Sequence, residues 1–399
     1  MKIFKSLLFR LILAIVVGAI VGLFCRERVD LTAWFMQVIV CIHRLLGQFV
    51  SFCVPLVILG CVGPAITKLG NNVGKLLSVA LIIAYTSTVL VATMSVLAGY
   101  VIVPMLNINE VTNSLTLPNA IFKLDIPRVM SVITALVLSI VVGLAAVWTN
   151  ATTTKQLLAE FQKIVIVILE RVVIPILPFY IGTTFITLGF DGTLTNFPVF
   201  IVAIVVVVVG HFIWLTILYL VAGIYSRKNP VEVFKHYGPA YVTAIGTMSS
   251  AATLPVALEC AKKSTVIRKD LVGFGIPLFA NIHLCGSVLT ETFLVMLVYK
   301  LLTGMLPPFS MMILFIVLLG IFAVGAPGVP GGTVVASLGI VESIICAGLS
   351  PEITATFTGM LLAIFALQDS FGTACNITSD GALTLFLSGY AEKYGLKEN

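Results

Sequence analysis

Residues 369–380 read DSFGTACNITSD, two carboxylates set within an otherwise apolar segment. A charged group in hydrocarbon is costly, so an acid there faces the protein interior and marks a site or pathway. Asp369, Thr373, Asn376 and Asp380 follow an i, i+4, i+7, i+11 spacing. At about 3.6 residues per turn these four share one helix face. The stretch therefore predicts a membrane helix with one polar stripe, and the fold is whatever encloses that stripe.

The surrounding composition agrees. Of 399 residues, 59% are hydrophobic and 10% charged. Several apolar runs reach the roughly 20 residues that a membrane-spanning helix needs. The fold class is an all-α polytopic membrane protein. The net charge of +6 comes from cations in short connections, as topology signals do, and not from a basic soluble domain that would bind nucleic acid. Eight cysteines are scattered through apolar segments without a CxxC pair, as expected of buried thiols rather than a disulfide or metal framework. The apolar run after Met1 exceeds a signal-peptide core and no A-x-A-like cleavage site follows, so it reads as a retained first helix.

Long spans are expected at 7–24, 38–66, 76–105, 127–148, 156–187, 196–226, 271–300 and 351–390. The longest polar interval, NINEVTNSLTLPNAIFKLD (107–125), separates the third from the fourth. Beyond residue 228 shorter apolar pieces are broken by small residues and proline, at GTMSSAATLPV (246–256) and GAPGVPGGTVVAS (325–337). With a cytoplasmic N-terminus, eight full spans place 16 of the 23 Lys and Arg residues inside, provided each broken piece enters and leaves on one side. Both pieces are then re-entrant helical hairpins, and both termini are cytoplasmic in a cell membrane. Residues 229–300 and 309–390 become inverted repeats of one hairpin–helix unit, whose broken segments meet at a mid-membrane site.

The first tip supplies Ser249, Ser250 and Thr253, with backbone N–H groups suited to a carboxylate where the chain opens into a half-helix. Close packing of small residues is the alternative use of such a tip. PLFANIHLCGS (277–287) is polar in mid-span, carrying Asn281, His283 and Ser287 beside Gly286. Local unwinding there would expose carbonyls to a small cation. His43, His211 and His236 read as hydrogen-bonded core residues, and Glu291 receives no role.

These segments together resemble the glutamate and neutral amino-acid transporter family, the dicarboxylate/amino acid:cation symporters. SSAATLPV is similar to the family's serine-rich first hairpin, and GAPGVPGG to its second. PLFANIHLCGS resembles PLGATINMDGT, and DSFGTACNITSD keeps the spacing of D-x-x-R-T-x-x-N-x-x-x-D. The resemblance implies that Asp369 and Thr373 bind a substrate amino group. Asn376 would bind the α-carboxylate with Ser250 and tip backbone including Val329. Asp380 would hold a sodium ion with the carbonyls of Phe279, His283 and Asn376. A second sodium would lie by Asn281 and the backbone of Ala323, Val324 and Ala326. It further implies a homotrimer with a scaffold (1–75 and 106–187) and a transport domain (76–105 and 188–399) moving like an elevator.

The departures bear on cargo. Gly372 stands where acidic-substrate members have Arg, and Met248 where some carry Arg before the serines. Beyond Lys269 the only cations are Lys300, Lys393 and Lys397, all at span ends. A second substrate carboxylate would be buried without a partner, which costs several kcal/mol. The expected cargo is a small neutral amino acid, with serine, threonine and alanine first. Cys285 replaces the Asp of N-M-D-G, which removes a third sodium's carboxylate and leaves proton coupling through His283 as an open alternative. The runner-up cargo is an acidic amino acid or C4-dicarboxylate, and a channel is a further alternative. An aspartic protease is excluded, because eleven helical residues set Asp369 and Asp380 about 16 Å apart. A serine protease lacks the G-x-S-x context.

Overall fold

The computed structural model describes residues 7–69, 75–106, 115–122, 124, 126–127, 129–326 and 331–396. The chain begins with α1 (Leu7–Glu27), α2 (Val29–Leu69) and α3 (Lys75–Ile102). It continues through α4 (Val132–Trp148), α5 (Thr152–Ile168), α6 (Ile174–Asp191) and α7 (Phe197–Ser226). A short α8 (Val231–Phe234) leads to α9 (Gly238–Thr247) and α10 (Ser250–Lys262), then α11 (Lys269–Ile282) and α12 (Cys285–Thr303). Last come α13 (Phe309–Ala323), α14 (Gly332–Ile340) and α15 (Pro351–Lys393). Among the described residues seven helical stretches are long and apolar enough to cross a membrane. With 17 residues, α4 falls at the short end of the spanning range.

Boundaries moved where polar sequence stays helical. The second span begins at Val29 rather than 38, because Asp30 in its first turn suits a helix N-terminus. The fourth begins at Val132, where the Ser131 hydroxyl accepts the Thr134 N–H at 3.1 Å. The fifth runs on to Asp191 through a π-turn at Leu169–Val173 just before Pro175, whose missing N–H and bulky ring a wider turn accommodates.

Glycines seat α1 on α6. A Cβ on Gly18 would lie 2.5 Å from Gly182 O, and one on Gly22 would lie 2.4 Å from Ile186 O. This small-xxx-small spacing lets two apolar helices approach closely without a hydrophobic driving force. Outward residues of α7 such as Ile201, Val205, Phe212 and Leu220 are exposed, whereas α12 and α15 are almost wholly buried. Apolar outside and polar within is the arrangement a bilayer selects.

Short helices flank both broken segments. Between α9 and α10, Met248 adopts a left-handed φ of 53°. Ser249 then caps α10, its hydroxyl accepting the Ala252 N–H at 3.2 Å. The α9 and α10 helices pack on each other and both contact α15. The second unit joins α13 to α14, and its tip at 327–330, including Val329, lies outside the described residues. Here α14 packs against α2, and a Cβ on Gly325 would sit 3.0 Å from Val62 Cα. Pairs of short helices come before α11–α12, as α9–α10, and before α15, as α13–α14. The copies differ in that α15 is continuous whereas α11 and α12 are separated at His283 and Leu284.

Candidate functional site

The polar stripe of α15 is buried along its whole length: Asp369, Thr373, Asn376 and Asp380 are at most 4% exposed. At one end the Gly331 N–H donates to Asp369 Oδ2 at 2.9 Å, tying the stripe to the start of α14. In the middle, Asn376 Oδ1 accepts the N–H groups of Gly286 at 2.8 Å and Ser287 at 3.3 Å. Its Nδ2 donates to Ser287 Oγ at 2.9 Å. These are the orphan donors at the N-terminus of α12. The sequence expectation of an unwound segment is met: His283 is extended (φ −128°, ψ 105°), and Asn376 caps the helix that restarts beyond it.

His283 is fully buried and joins two helices. Its Nε2 lies 2.8 Å from Ser87 Oγ on α3, and its Nδ1 lies 3.1 Å from Ser379 Oγ on α15. Ser379 donates to Asn376 O at 2.6 Å and accepts the Cys285 thiol at 3.3 Å. The nearest Asp380 oxygen is 3.8 Å from His283 Nδ1, too long for a hydrogen bond. Among the described residues both Asp380 oxygens lack a hydrogen-bond partner, as does the neighbouring Thr378 hydroxyl. Gly381 lies under the rings of Tyr219 and Tyr237, a Cβ there falling 2.7 Å from each. A carboxylate enclosed this tightly without donors needs a cation or a proton.

Other expected residues are placed differently. The first tip spends its hydroxyls on itself: Thr253 donates to Ser249 O at 2.9 Å and pairs with Thr247 at 2.9 Å. Ser250 is buried in the first turn of α10. Phe279 O already accepts the His283 N–H at 2.9 Å, leaving one lone pair for a cation. Asn281 is exposed and donates to Pro277 O at 2.7 Å, without a polar contact to Ala323, Val324 or Ala326 among the described residues. Gly372 faces backbone: a Cβ there would meet Ser287 N at 3.4 Å, so the space beside it is partly filled by α12.

Sequence reasoning missed the residues that brace the stripe. His211, expected in the core, lies with Nε2 3.0 Å from Gly286 O and 3.1 Å from Thr290 Oγ1. Thr290 in turn donates to Gln368 at 2.9 Å, next to Asp369. Glu291, given no role, accepts a hydrogen bond from Ser337 of α14. The available signal was the polar run Tyr85–Thr88 in an apolar span, and the seryl and threonyl spacing around Glu291.

A family model for sodium:dicarboxylate symporters matches residues 7–390. The chain belongs to this family. It is a multi-pass membrane protein of a family of transporters rather than enzymes, with sodium in the family's description. Within the family it is 31% identical, over 243 residues, to the serine/threonine transporter SstT of Acinetobacter baumannii (strain AYE). That alignment covers 59% of this chain and 58% of the relative. It is 28% identical over 191 residues to neutral amino acid transporter B(0) of Rattus norvegicus, covering 48% of this chain and 33% of that protein. The alignments thus span less than two thirds of the relatives' length.

Proposed function

We propose that this family member is a secondary active symporter that couples inward sodium movement to uptake of a small neutral amino acid of the serine, threonine and alanine class. The observation that carries the coupling is Asp380, a buried carboxylate whose oxygens have no hydrogen-bond partner among the described residues, beside a helix break. Sodium supplies the missing charge with compact oxygen coordination from Asp380 and the nearby carbonyls, including the open lone pair of Phe279. Asp369 then meets the substrate ammonium, and Asn376 the α-carboxylate. One Asn376 N–H is committed to Ser287, so the other is the donor for substrate.

The specificity reading rests on charge. Among the described residues no Lys or Arg hydrogen-bonds or ion-pairs with Asp369, Thr373, Asn376 or Asp380, and Gly372 faces Ser287. Burying a second substrate carboxylate there would cost several kcal/mol. The names of the two relatives, a serine/threonine and a neutral amino-acid transporter, agree with this choice.

In the elevator reading, residues 1–75 and 106–187 stay fixed while 76–105 and 188–399 carry the site across, within a homotrimer. The packing of α14 on α2 then represents one end of the stroke. Eight spans, two re-entrant hairpins and cytoplasmic termini complete the proposed topology. Cys285 in place of the third-site carboxylate lowers the number of sodium ions per cycle.

Purified protein in liposomes, an inward sodium gradient and labelled serine, threonine, alanine and aspartate provide the test. Sodium-dependent serine or threonine uptake well above aspartate is expected. Aspartate uptake exceeding the neutral amino acids would overturn the specificity, and sodium-independent flux would overturn the coupling.

A further inference from the structure

Tyr237 belongs to neither the stripe nor the helix break, yet its ring packs beside Asp380. It precedes the first residue of α9, where its N–H donates to Phe234 O at 3.0 Å and its C=O accepts the Tyr241 N–H at 2.9 Å. Both main-chain groups are thus held, and the residue is 1% exposed. The ring lies against Gly381: a Cβ there would fall 2.7 Å from Tyr237 Cε2 and 2.8 Å from Cζ, the carbon that bears the hydroxyl. The Tyr219 hydroxyl comes within 2.7 Å of the same point, but it is committed, donating to Thr378 O at 2.8 Å.

Tyr237 Oη has no hydrogen-bond partner among the described residues. A buried hydroxyl left in that condition is destabilising. Asp380, the residue before Gly381, has the complementary lack: two fully buried acceptor oxygens with no donor among the described residues. A phenol donates one hydrogen bond and a carboxylate accepts several, so each can satisfy the other. The terminal torsion of an aspartate is broad, and redirecting one oxygen toward a neighbour costs little. Carboxylates that ligate a metal ion are themselves hydrogen-bonded from outside, which orients them on the ion.

We propose that Tyr237 is a positioning residue for the Asp380 cation site, its hydroxyl donating to the carboxylate while the carboxylate holds sodium. The assignment rests on Asp380 being a sodium ligand. It ties α9, the first helix of the first tip, to the loaded site on α15.

The test is thermal unfolding of the purified full-length protein, titrated with sodium chloride against choline chloride at constant ionic strength. Tyr237→Phe removes the hydroxyl and keeps the ring on Gly381. Its Tm in choline is expected to match or exceed that of the wild type, because a buried unpaired group is gone. Its half-saturating sodium concentration is expected to rise about tenfold, the low end of the loss when an outer partner of a metal ligand is removed. Tyr219→Phe, which breaks the bond to Thr378 O, is expected to do the reverse: a lower Tm in choline and an unchanged half-saturation. Sodium should also produce a tyrosine difference absorbance that Tyr237→Phe lacks. A wild-type half-saturation in Tyr237→Phe would overturn this assignment and leave Asp380 as the ligand. No sodium response in the wild type would overturn the sodium reading and this assignment together.

Discussion

Asn376 Oδ1 accepts the Gly286 N–H at 2.8 Å, and through this bond the polar stripe of α15 terminates the break between α11 and α12. A residue expected to hold substrate is therefore also a helix cap. Replacing Asn376 by Ala leaves the Gly286 and Ser287 donors buried without partners. Each orphaned group costs about 1–3 kcal/mol. The expected outcome is a lower Tm in detergent together with lost uptake, whereas a role confined to substrate binding would leave Tm unchanged.

Glycines let α12 and α15 approach closely. A Cβ on Gly286 would fall 2.4 Å from Gly372 O, where backbone cannot yield cheaply. A Cβ on Gly372 would meet Ser287 at 3.4–3.5 Å, an ordinary contact. Gly286→Ala should therefore reduce the folded, monodisperse fraction in size-exclusion chromatography, and Gly372→Ala should not. Equal yields from both variants would contradict this packing.

Asp380 is predicted to be the group through which sodium stabilises the fold. A ligand present at about a hundred times its Kd contributes roughly 2.7 kcal/mol to the state that binds it. Wild-type Tm should climb with sodium chloride relative to choline chloride, and Asp380→Asn should lose that climb. A sodium-dependent Tm that survives in Asp380→Asn would move the ion elsewhere.

Ser87 holds the imidazole of His283 at 2.8 Å from α3. Ser87→Ala leaves a buried ring nitrogen unpaired, with an expected loss of about 1–3 kcal/mol. Ser87→Thr keeps a hydroxyl and should recover most of the Tm and uptake. Identical losses in both variants would point to packing rather than to the hydrogen bond.

Much of this protein was legible in one dimension. Hydropathy located the spans, because each apolar run had to be helical for its backbone to be satisfied in hydrocarbon. The 11-residue reach from Asp369 to Asp380 set four polar groups on one face, since helical periodicity is local. Small residues and Pro marked the tip at Met248, and the polar Asn281, His283 and Ser287 beside Gly286 marked the break at His283, for the same local reason. What the sequence could not reveal is which distant groups satisfy that stripe. Only the tertiary structure pairs Asn376 with Gly286, His283 with Ser87 and Ser337 with Glu291, because a hydrogen bond across helices depends on their approach and rotation. The same holds for Asp380: its position was readable, but its lack of a hydrogen-bond partner among the described residues, with His283 Nδ1 at 3.8 Å, is a property of the packing around it.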